Sequence, residues 1–134
     1  MRAAINAAES GAKVIVIDRD GHLGGQLVKQ THMFFGSQKQ YASTRGIDIA
    51  KILIAELEKH KDKITVMTDS TVIGFYEDRV LTVEQAGKYI KIKPNAIVVA
   101  TGASEKFNAF PNNDLPGIYG AGAVQTLMNV CGVA

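Results

Sequence analysis

The chain is 134 residues long and 46% hydrophobic, so it holds one domain at most. Its net charge of +2 is too small to indicate nucleic acid or an acidic membrane as a partner. Its single cysteine, Cys131, excludes an internal disulfide or a Cys-x-x-Cys redox pair and fits a reducing compartment, which we expect to be the cytoplasm. No apolar run approaches the ~20 residues of a membrane span, and Glu9 and Gly11 interrupt what would be the apolar core of a signal peptide.

The first predicted elements are a helix over residues 1–10 and a strand at Val14–Ile17. The uninterrupted apolar run of the strand favours a position covered on both faces, as in a parallel sheet packed by helices. Asp18 follows at the carboxyl end, where ligands bind in open α/β sheets, and Gly24 and Gly25 then let backbone approach a ligand closely. These residues fit the second strand of a dinucleotide-binding domain and an ordinary buried strand with a solvated Asp and a glycine turn about equally well.

A long segment without clean periodicity, residues 26–45, comes next and carries several aromatic side chains. Such loops are uncommon in compact domains and often functional. Two interpretations stay open: a segment that lies against a flat cofactor ring, and an irregular stretch whose aromatics fill the core. Residues 47–60 then predict the strongest helix, because apolar residues repeat every four positions. We expect this helix to cross over to a buried parallel strand at residues 64–67.

The stretch from residue 69 to 95 links one buried strand to another but has no helical period. It predicts three short strands, over residues 71–76, 80–83 and 89–93, with turns between them. The second crossover is therefore expected to be an antiparallel β-meander, where the common Rossmann pattern has a helix. Along the last strand isoleucines alternate with lysines, so the face that carries the lysines should be exposed to solvent.

The remaining chain begins with AIVVA, residues 96–100, a continuous apolar run that predicts another buried strand. Thr101 and Gly102 end this strand. A polar loop with two prolines follows at residues 111–116, and a closing helix is predicted over residues 121–130. Cys131, at the end of this helix, is expected to be a core residue and not a redox group.

Five segments carry a family resemblance, and in order they read AAESGAKVIVIDRD, LGGQL, THMFFGS, ATGAS and DLPGIYGAGAVQTLMN. Together they resemble the FAD domain of the glutathione-reductase-like superfamily of FAD/NAD(P)-binding oxidoreductases. Within it, the chain is most similar to the FAD/NAD-binding subunits of amine and amino-acid dehydrogenases, of the sarcosine oxidase alpha, proline dehydrogenase alpha and hydrogen cyanide synthase types. The implied fold is α/β: a partial Rossmann-like FAD-binding domain over residues 1–134, with the meander at about 69–95 and residues 111–134 connecting towards a nicotinamide domain.

The resemblance implies cofactor contacts for eight residues: Asp18, Arg19, Gly24, Gly25, Gln26, Val72, Thr101 and Gly102. Asp18 would bind the ribose of the adenosine half, and Arg19 would lie near the adenine, although an exposed charge is an equal alternative. The backbone of Val72 would meet the adenine edge.

The other assigned residues would lie along the rest of the cofactor: the glycine pair and Gln26 beside the pyrophosphate and flavin, and Thr101 and Gly102 at the end of the AIVVA strand. No catalytic residue and no metal ligand is carried over, because in flavoenzymes the isoalloxazine does the redox chemistry and the protein positions it. His32 is the one polar candidate near the ring, and a plain loop histidine is its alternative.

The chain departs from the family pattern at its start, where the G-x-G-x-x-G fingerprint is absent. The family acid lies about 20 residues after that fingerprint, so counting back from Asp18 puts the glycines upstream of Met1. The first strand, the nicotinamide domain and the later flavin-binding segment are also absent. We therefore expect the inner portion of a larger enzyme, which alone would bind FAD poorly and self-associate through unpaired strands.

Three functions follow from these patterns. The first is a fragment of an FAD-dependent oxidoreductase, linked in the parent to NAD or NADP, that acts on an amine or amino acid and has a possible partner subunit. The second is an NAD-binding dehydrogenase domain, since Asp18 would serve that ribose equally well. The third is a non-catalytic remnant or interface module that binds no cofactor. Neither nucleic acid nor a membrane is an expected partner.

Overall fold

The computed structural model describes residues 1–133 and contains three α-helices, two 3₁₀ turns and five strands in that part of the chain. The helices are α1 (Arg2–Glu9), α2 (Gly46–Glu58) and α3 (Ala121–Asn129), with 3₁₀ turns at Gly25–Lys29 and Gln38–Gln40. The strands are β1 (Val14–Ile17), β2 (Ile64–Met67), β3 (Ser70–Phe75), β4 (Leu81–Gln85) and β5 (Lys88–Ile92). The chain forms two compact units, one of residues 1–24 and 50–100 and the other of residues 25–49 and 101 onward.

The first unit contains both parallel strands of the predicted crossover and residues 50–58 of its helix. β1 and β2 pair in parallel over their whole lengths, with Val14 opposite Ile64 and Ile17 opposite Met67, and α2 precedes β2 in the chain. Both strands have the predicted bounds, because a short apolar run between polar residues leaves little freedom in where a strand begins and ends. The prediction that β1 is covered on both faces is wrong, since Ile15 is 47% exposed. The prediction that β2 is a buried strand is also wrong beyond Ile64, since Val66 is 39% exposed.

The core of this unit forms where α1 and α2 bury their apolar faces. The buried side chains of the two helices and β2 in this unit are Ala4, Ile5, Ala8, Ala50, Leu53, Leu57 and Ile64. Polar contacts at the rim hold the elements in place: Arg2 Nη1 lies 2.8 Å from Glu56 Oε2, and Lys63 Nζ donates to the Ala8 carbonyl at 3.2 Å. Ala4 and Ala8 contribute the small side chains of α1 to this core.

The meander is confirmed as an antiparallel sheet in the order β3-β4-β5. Val83, at the centre of β4, is fully buried, and the pairing of β3 with β4 shifts between Val72 and Gly74. Ala86 and Gly87 form the tight turn between β4 and β5, with φ angles of 51° and 75°. Two consecutive positive φ angles are the signature of the type I′ turn that matches the twist of a two-residue hairpin.

Ala86→Asn is expected to stabilise the protein by about 1 kcal/mol, because a non-glycine residue with a Cβ is strained in the left-handed region, which asparagine tolerates best. Thermal unfolding followed by circular dichroism measures the effect. Ala12→Asn, at an exposed position outside the left-handed region, is the control and should bring no gain. A melting temperature for Ala86→Asn at or below that of the wild type would contradict the turn assignment.

The strand predicted over residues 96–100 is absent, which corrects the sequence-based interpretation. A strand exists only where a neighbour supplies hydrogen bonds, and within residues 1–133 no segment pairs with this one, while β1 pairs with β2 alone. As a result Val98 and Val99 are 74% and 77% exposed. The segment is apolar, but its burial depends on a partner that the hydrophobic pattern does not reveal.

Exposed apolar segments and open strand edges promote association between molecules. We therefore expect the purified 134-residue chain to self-associate, and Val98→Lys to reduce that association because a lysine opposes edge-to-edge pairing. Light scattering across a concentration series measures it. Val133→Lys adds the same charge at another exposed valine and should leave the association unchanged; equal behaviour of the two variants would refute the role of residues 96–100.

The second unit contains the irregular segment after Gly25, which local hydrogen bonds hold in a closed loop. Phe34 N–H donates to the Thr44 carbonyl at 3.0 Å, and Ser43 N–H donates to the Phe34 carbonyl at 2.9 Å. An isolated bridge between Met33 and Arg45 lies beside these two bonds. Phe35 is 95% exposed, so the interpretation that the aromatics of this segment fill the core is wrong for that residue.

Two further observations concern the end of the chain. Helix α3 ends at Asn129, one residue before the predicted end, and Cys131 lies beyond it with an exposed side chain. The prediction that Cys131 is a core residue is therefore wrong, because the apolar pattern of this helix does not lead to a buried face among its residues.

Among the described residues, no helix has the length and apolarity needed to cross a membrane.

Candidate functional site

Asp18 lies at the carboxyl end of β1, where its backbone is held on both sides. Its N–H donates to the Met67 carbonyl at 2.9 Å, and its own carbonyl accepts from Ser70 N–H at 3.0 Å. The residue is thus fixed between the end of β2 and the start of β3. These two hydrogen bonds fix the backbone that carries the side chain, so the position of Asp18 does not depend on a flexible loop.

The Asp18 carboxylate is half-buried and makes one local contact: Oδ1 accepts the Asp20 N–H at 3.1 Å. In the part of the chain that the structure describes, no hydrogen bond or ion pair engages Oδ2. A carboxylate has about four acceptor positions, so most of its hydrogen-bonding capacity is available to a ligand. Vicinal hydroxyl groups, as on a ribose, match two oxygens held in this way.

Arg19 and Val72 lie in the same unit but show weaker signs of a site. The Arg19 side chain is 81% exposed and lies 3.8 Å from Asp20 Oδ1, which is a surface ion pair of small energetic value. Val72 pairs with Val83 in the meander, directly before the shift in register, and its side chain is exposed. The exposed-charge alternative for Arg19 thus agrees with its surroundings.

Both residues of the glycine pair have positive φ angles, which glycine adopts without steric cost. Gly24 is buried with a φ of 137°, and Gly25 is exposed with a φ of 52°. A Cβ added to Gly25 would meet no atom within 4 Å. The glycines therefore shape the chain after Asp18, and the space beside Gly25 is open to a ligand.

The remaining predicted residues belong to the second unit. Gln26 lies exposed in the first 3₁₀ turn, Thr101 is exposed, and Gly102 has a φ of 75° with open space where a Cβ would be. His32 stacks on Phe34 with ring centroids 5.1 Å apart and an angle of 25° between the planes. This contact supports the plain loop histidine, because a neighbouring ring already covers one of its faces.

One residue that sequence reasoning missed is Glu105. Its carboxylate accepts backbone hydrogen bonds from Ala121 and Gly122, the first residues of α3. No sequence pattern indicates this contact, since a capping residue is normally sought directly before a helix and Glu105 lies 16 residues upstream. The one available signal is negative: the residue before α3 is Gly120, which has no side chain to cap it.

The first unit thus carries Asp18, Arg19, Gly24 and Val72, and the second carries Gly25, Gln26, Thr101 and Gly102. A parallel β-α-β crossover with a carboxylate at the first strand end, followed by an antiparallel meander, defines a Rossmann-like α/β protein. The chain belongs to the pyridine nucleotide-disulphide oxidoreductase family, whose model matches residues 1–132.

Similar proteins agree with this assignment. The alpha chain of sarcosine oxidase from Corynebacterium sp. is 31% identical over 99% of this chain and 15% of its own length. One of the subunits of opine oxidase from Agrobacterium tumefaciens is 29% identical over 98% of this chain and 27% of its own length. The crystal structure of L-proline dehydrogenase from P. horikoshii matches with a TM-score of 0.81 and 25% identity, over 98% of this chain and 27% of that one.

These matches confirm the resemblance to the FAD/NAD-binding subunits of amine and amino-acid dehydrogenases. The chain spans between 15% and 27% of the length of the three proteins just described.

Proposed function

We propose that this chain is the FAD-binding part of an FAD-dependent, pyridine nucleotide-linked oxidoreductase that acts on an amine or amino acid in the whole protein. The family assignment supports the dinucleotide chemistry. The names of the relatives support the substrate class, since sarcosine and proline are amino acids. Relatives named as subunits support a partner subunit in the parent enzyme.

The observation that carries the proposal is the Asp18 carboxylate. The backbone of Asp18 is fixed at the carboxyl end of a parallel strand by hydrogen bonds on both sides, and of its carboxylate oxygens only Oδ1 has a partner within the described chain. In Rossmann-like domains an acid at such a strand end binds ribose hydroxyls. Asp18 would therefore take the ribose of the adenosine half of FAD, with Arg19 and the backbone of Val72 towards the adenine.

The other proposed contacts fit a dinucleotide in their chemistry. Gly24 and Gly25 present backbone without side chains, and open space adjoins both Gly25 and Gly102. Gly24, Gly25 and Gln26 would lie along the pyrophosphate and flavin side, and Thr101 and Gly102 would bound the cofactor. When bound, the isoalloxazine would supply the redox chemistry. The residues of this chain would bind and orient it.

Absorbance tests the proposal on the purified full-length protein, which here means the natural chain with any residues that precede or follow these 134. A yellow protein with a flavin spectrum, or an apoprotein that takes up FAD on titration, is the expected result. Thermal unfolding with FAD and with NAD separates the two cofactors, because only a ligand that binds the native state raises the melting temperature. A rise with NAD alone would favour the NAD-binding domain, and a folded protein that responds to neither would favour the non-catalytic module.

A cytoplasmic location is part of the same proposal. It is supported by the single free cysteine, which is exposed and would be prone to oxidation outside a reducing compartment.

A further inference from the structure

One side chain ties the segment after Thr101 and Gly102 to helix α3. Ala121 N–H donates to Glu105 Oε1 at 2.9 Å, and Gly122 N–H donates to Glu105 Oε2 at 3.0 Å. The two carboxylate oxygens satisfy two of the N–H groups that a helix leaves without partners at its start. The negative charge is also favourable at the positive end of the helix dipole. Glu105 itself therefore fills the N-terminus of α3.

The glycines at the start of α3 leave room for this carboxylate. A Cβ built on Gly120 would overlap Glu105 Oε2 and lie 2.6 Å from Cδ, and one on Gly122 would lie 3.3 Å from Oε2. The φ of Gly120 is −71°, a value that any residue adopts. The backbone conformation therefore does not require glycine at position 120. Glycine is needed there because any side chain would overlap the Glu105 carboxylate.

The same contact is the first tether of the chain after the proposed cofactor residues. Glu105 comes three residues after Gly102, and no helix or strand is present between residues 93 and 120 of the described chain. Within residues 1–133, the segment 101–107 forms hydrogen bonds only through the Glu105 side chain. Among the described residues, the Glu105 side chain therefore makes the only hydrogen bonds that link residues 101–107 to α3.

We propose that Glu105 is a positioning residue for the cofactor: by capping α3 it closes residues 105–121 into a loop and holds Thr101 and Gly102 in the conformation that receives FAD. The positioning role rests on the proposed function. The closure of the loop does not depend on any ligand. The two parts can therefore be tested separately.

Hydrogen exchange of the full-length protein without FAD tests the closure. Glu105→Ala should speed the exchange of the Ala121 and Gly122 amides by about ten- to hundredfold, because hydrogen bonds to a charged acceptor are lost. Asp114→Ala removes the same charge from an exposed position in the same loop and should change neither amide. Unchanged exchange in Glu105→Ala would overturn the closure.

A double-mutant cycle removes the contact from the other side. Gly120→Ala should speed the exchange of the same two amides, because its Cβ displaces the carboxylate while the backbone stays unstrained. In the Glu105→Ala background, Gly120→Ala should add no further increase, since the group it displaces is already gone. Additive effects of the two substitutions would overturn the contact as the source of closure.

FAD titration of the full-length protein tests the positioning role. Glu105→Ala should raise the Kd for FAD by about tenfold. The comparison is Leu57→Ala, which creates a cavity in the buried core beside the end of α2 and lowers the melting temperature at a residue that is given no role in cofactor binding. Measured at the same interval below each melting temperature, Leu57→Ala should keep the wild-type Kd.

Two outcomes separate the inferences. If the wild type binds FAD and Glu105→Ala binds it equally well, the positioning role is wrong and the proposed function stands. If the wild type binds no FAD, the proposed function fails together with the positioning role, and the exchange measurements alone decide whether Glu105 closes the loop.

Discussion

Asp18→Ala is expected to weaken FAD binding by the full-length protein by about 1–3 kcal/mol, or roughly five- to 150-fold in Kd. The substitution removes a charged acceptor whose backbone is fixed at the carboxyl end of β1 and whose Oδ2 has no partner within the described chain. The fold should survive, because the carboxylate makes one local hydrogen bond, to the Asp20 N–H. Isothermal titration of the apoprotein with FAD measures the change.

Asp78→Ala is the matched control. Asp78 Oδ1 accepts the Val80 N–H at 3.2 Å, which repeats the spacing of the Asp18 contact in the turn between β3 and β4. The control therefore removes the same charge and the same local hydrogen bond, and it should leave FAD affinity unchanged. Asp18→Asn keeps an acceptor oxygen without the charge and should fall between the wild type and Asp18→Ala. Equal affinities of wild type and Asp18→Ala would refute the ribose assignment.

Gly25→Asn is expected to weaken FAD binding by roughly five- to 150-fold, since a side chain would occupy the open space beside the glycine at a cost of about 1–3 kcal/mol. Asparagine is chosen because Gly25 has a φ of 52°, a conformation that asparagine tolerates and a β-branched residue does not. Valine at this position would therefore strain the backbone as well as block the site. Titration with FAD, beside thermal unfolding, separates affinity from stability.

Gly87→Asn provides the corresponding control. Gly87 has a φ of 75° and also has no atom within 4 Å of an added Cβ, but it lies in the turn between β4 and β5. It reproduces the backbone change of Gly25→Asn in a turn that is given no role in cofactor binding. A Gly25→Asn protein with wild-type affinity and wild-type melting temperature would show that this glycine serves the turn alone.

Local patterns predicted most of the elements because each of these elements needs little beyond its own residues. β1 and β2 have the predicted bounds, and α2 begins one residue before and ends two residues before the predicted helix. The meander was recognisable because its strands are joined by short turns, so the strands that pair are also neighbours in sequence. The position of Asp18 at the carboxyl end of β1 could be predicted because it directly follows the apolar run of that strand, and its backbone hydrogen bonds agree with that position.

The AIVVA segment and Cys131 show where such reasoning fails. The composition of residues 96–100 predicts burial, but pairing requires a neighbouring strand, which the described residues do not supply. The helix that precedes Cys131 has the expected apolar residues, yet none of them is buried. In both cases the outcome depends on what packs against the segment, and a hydrophobic pattern carries no information about its partner.

The amino-acid sequence by itself determined the α/β character, the parallel crossover through α2, the meander and the position of Asp18, because hydrophobic periodicity and turn chemistry act between residues close in the chain. Tertiary structure alone decided the exposure of residues 96–100 and the cap that Glu105 places on α3 from 16 residues away. These features depend on hydrogen bonds and contacts between distant residues, so they exist only once the chain has folded.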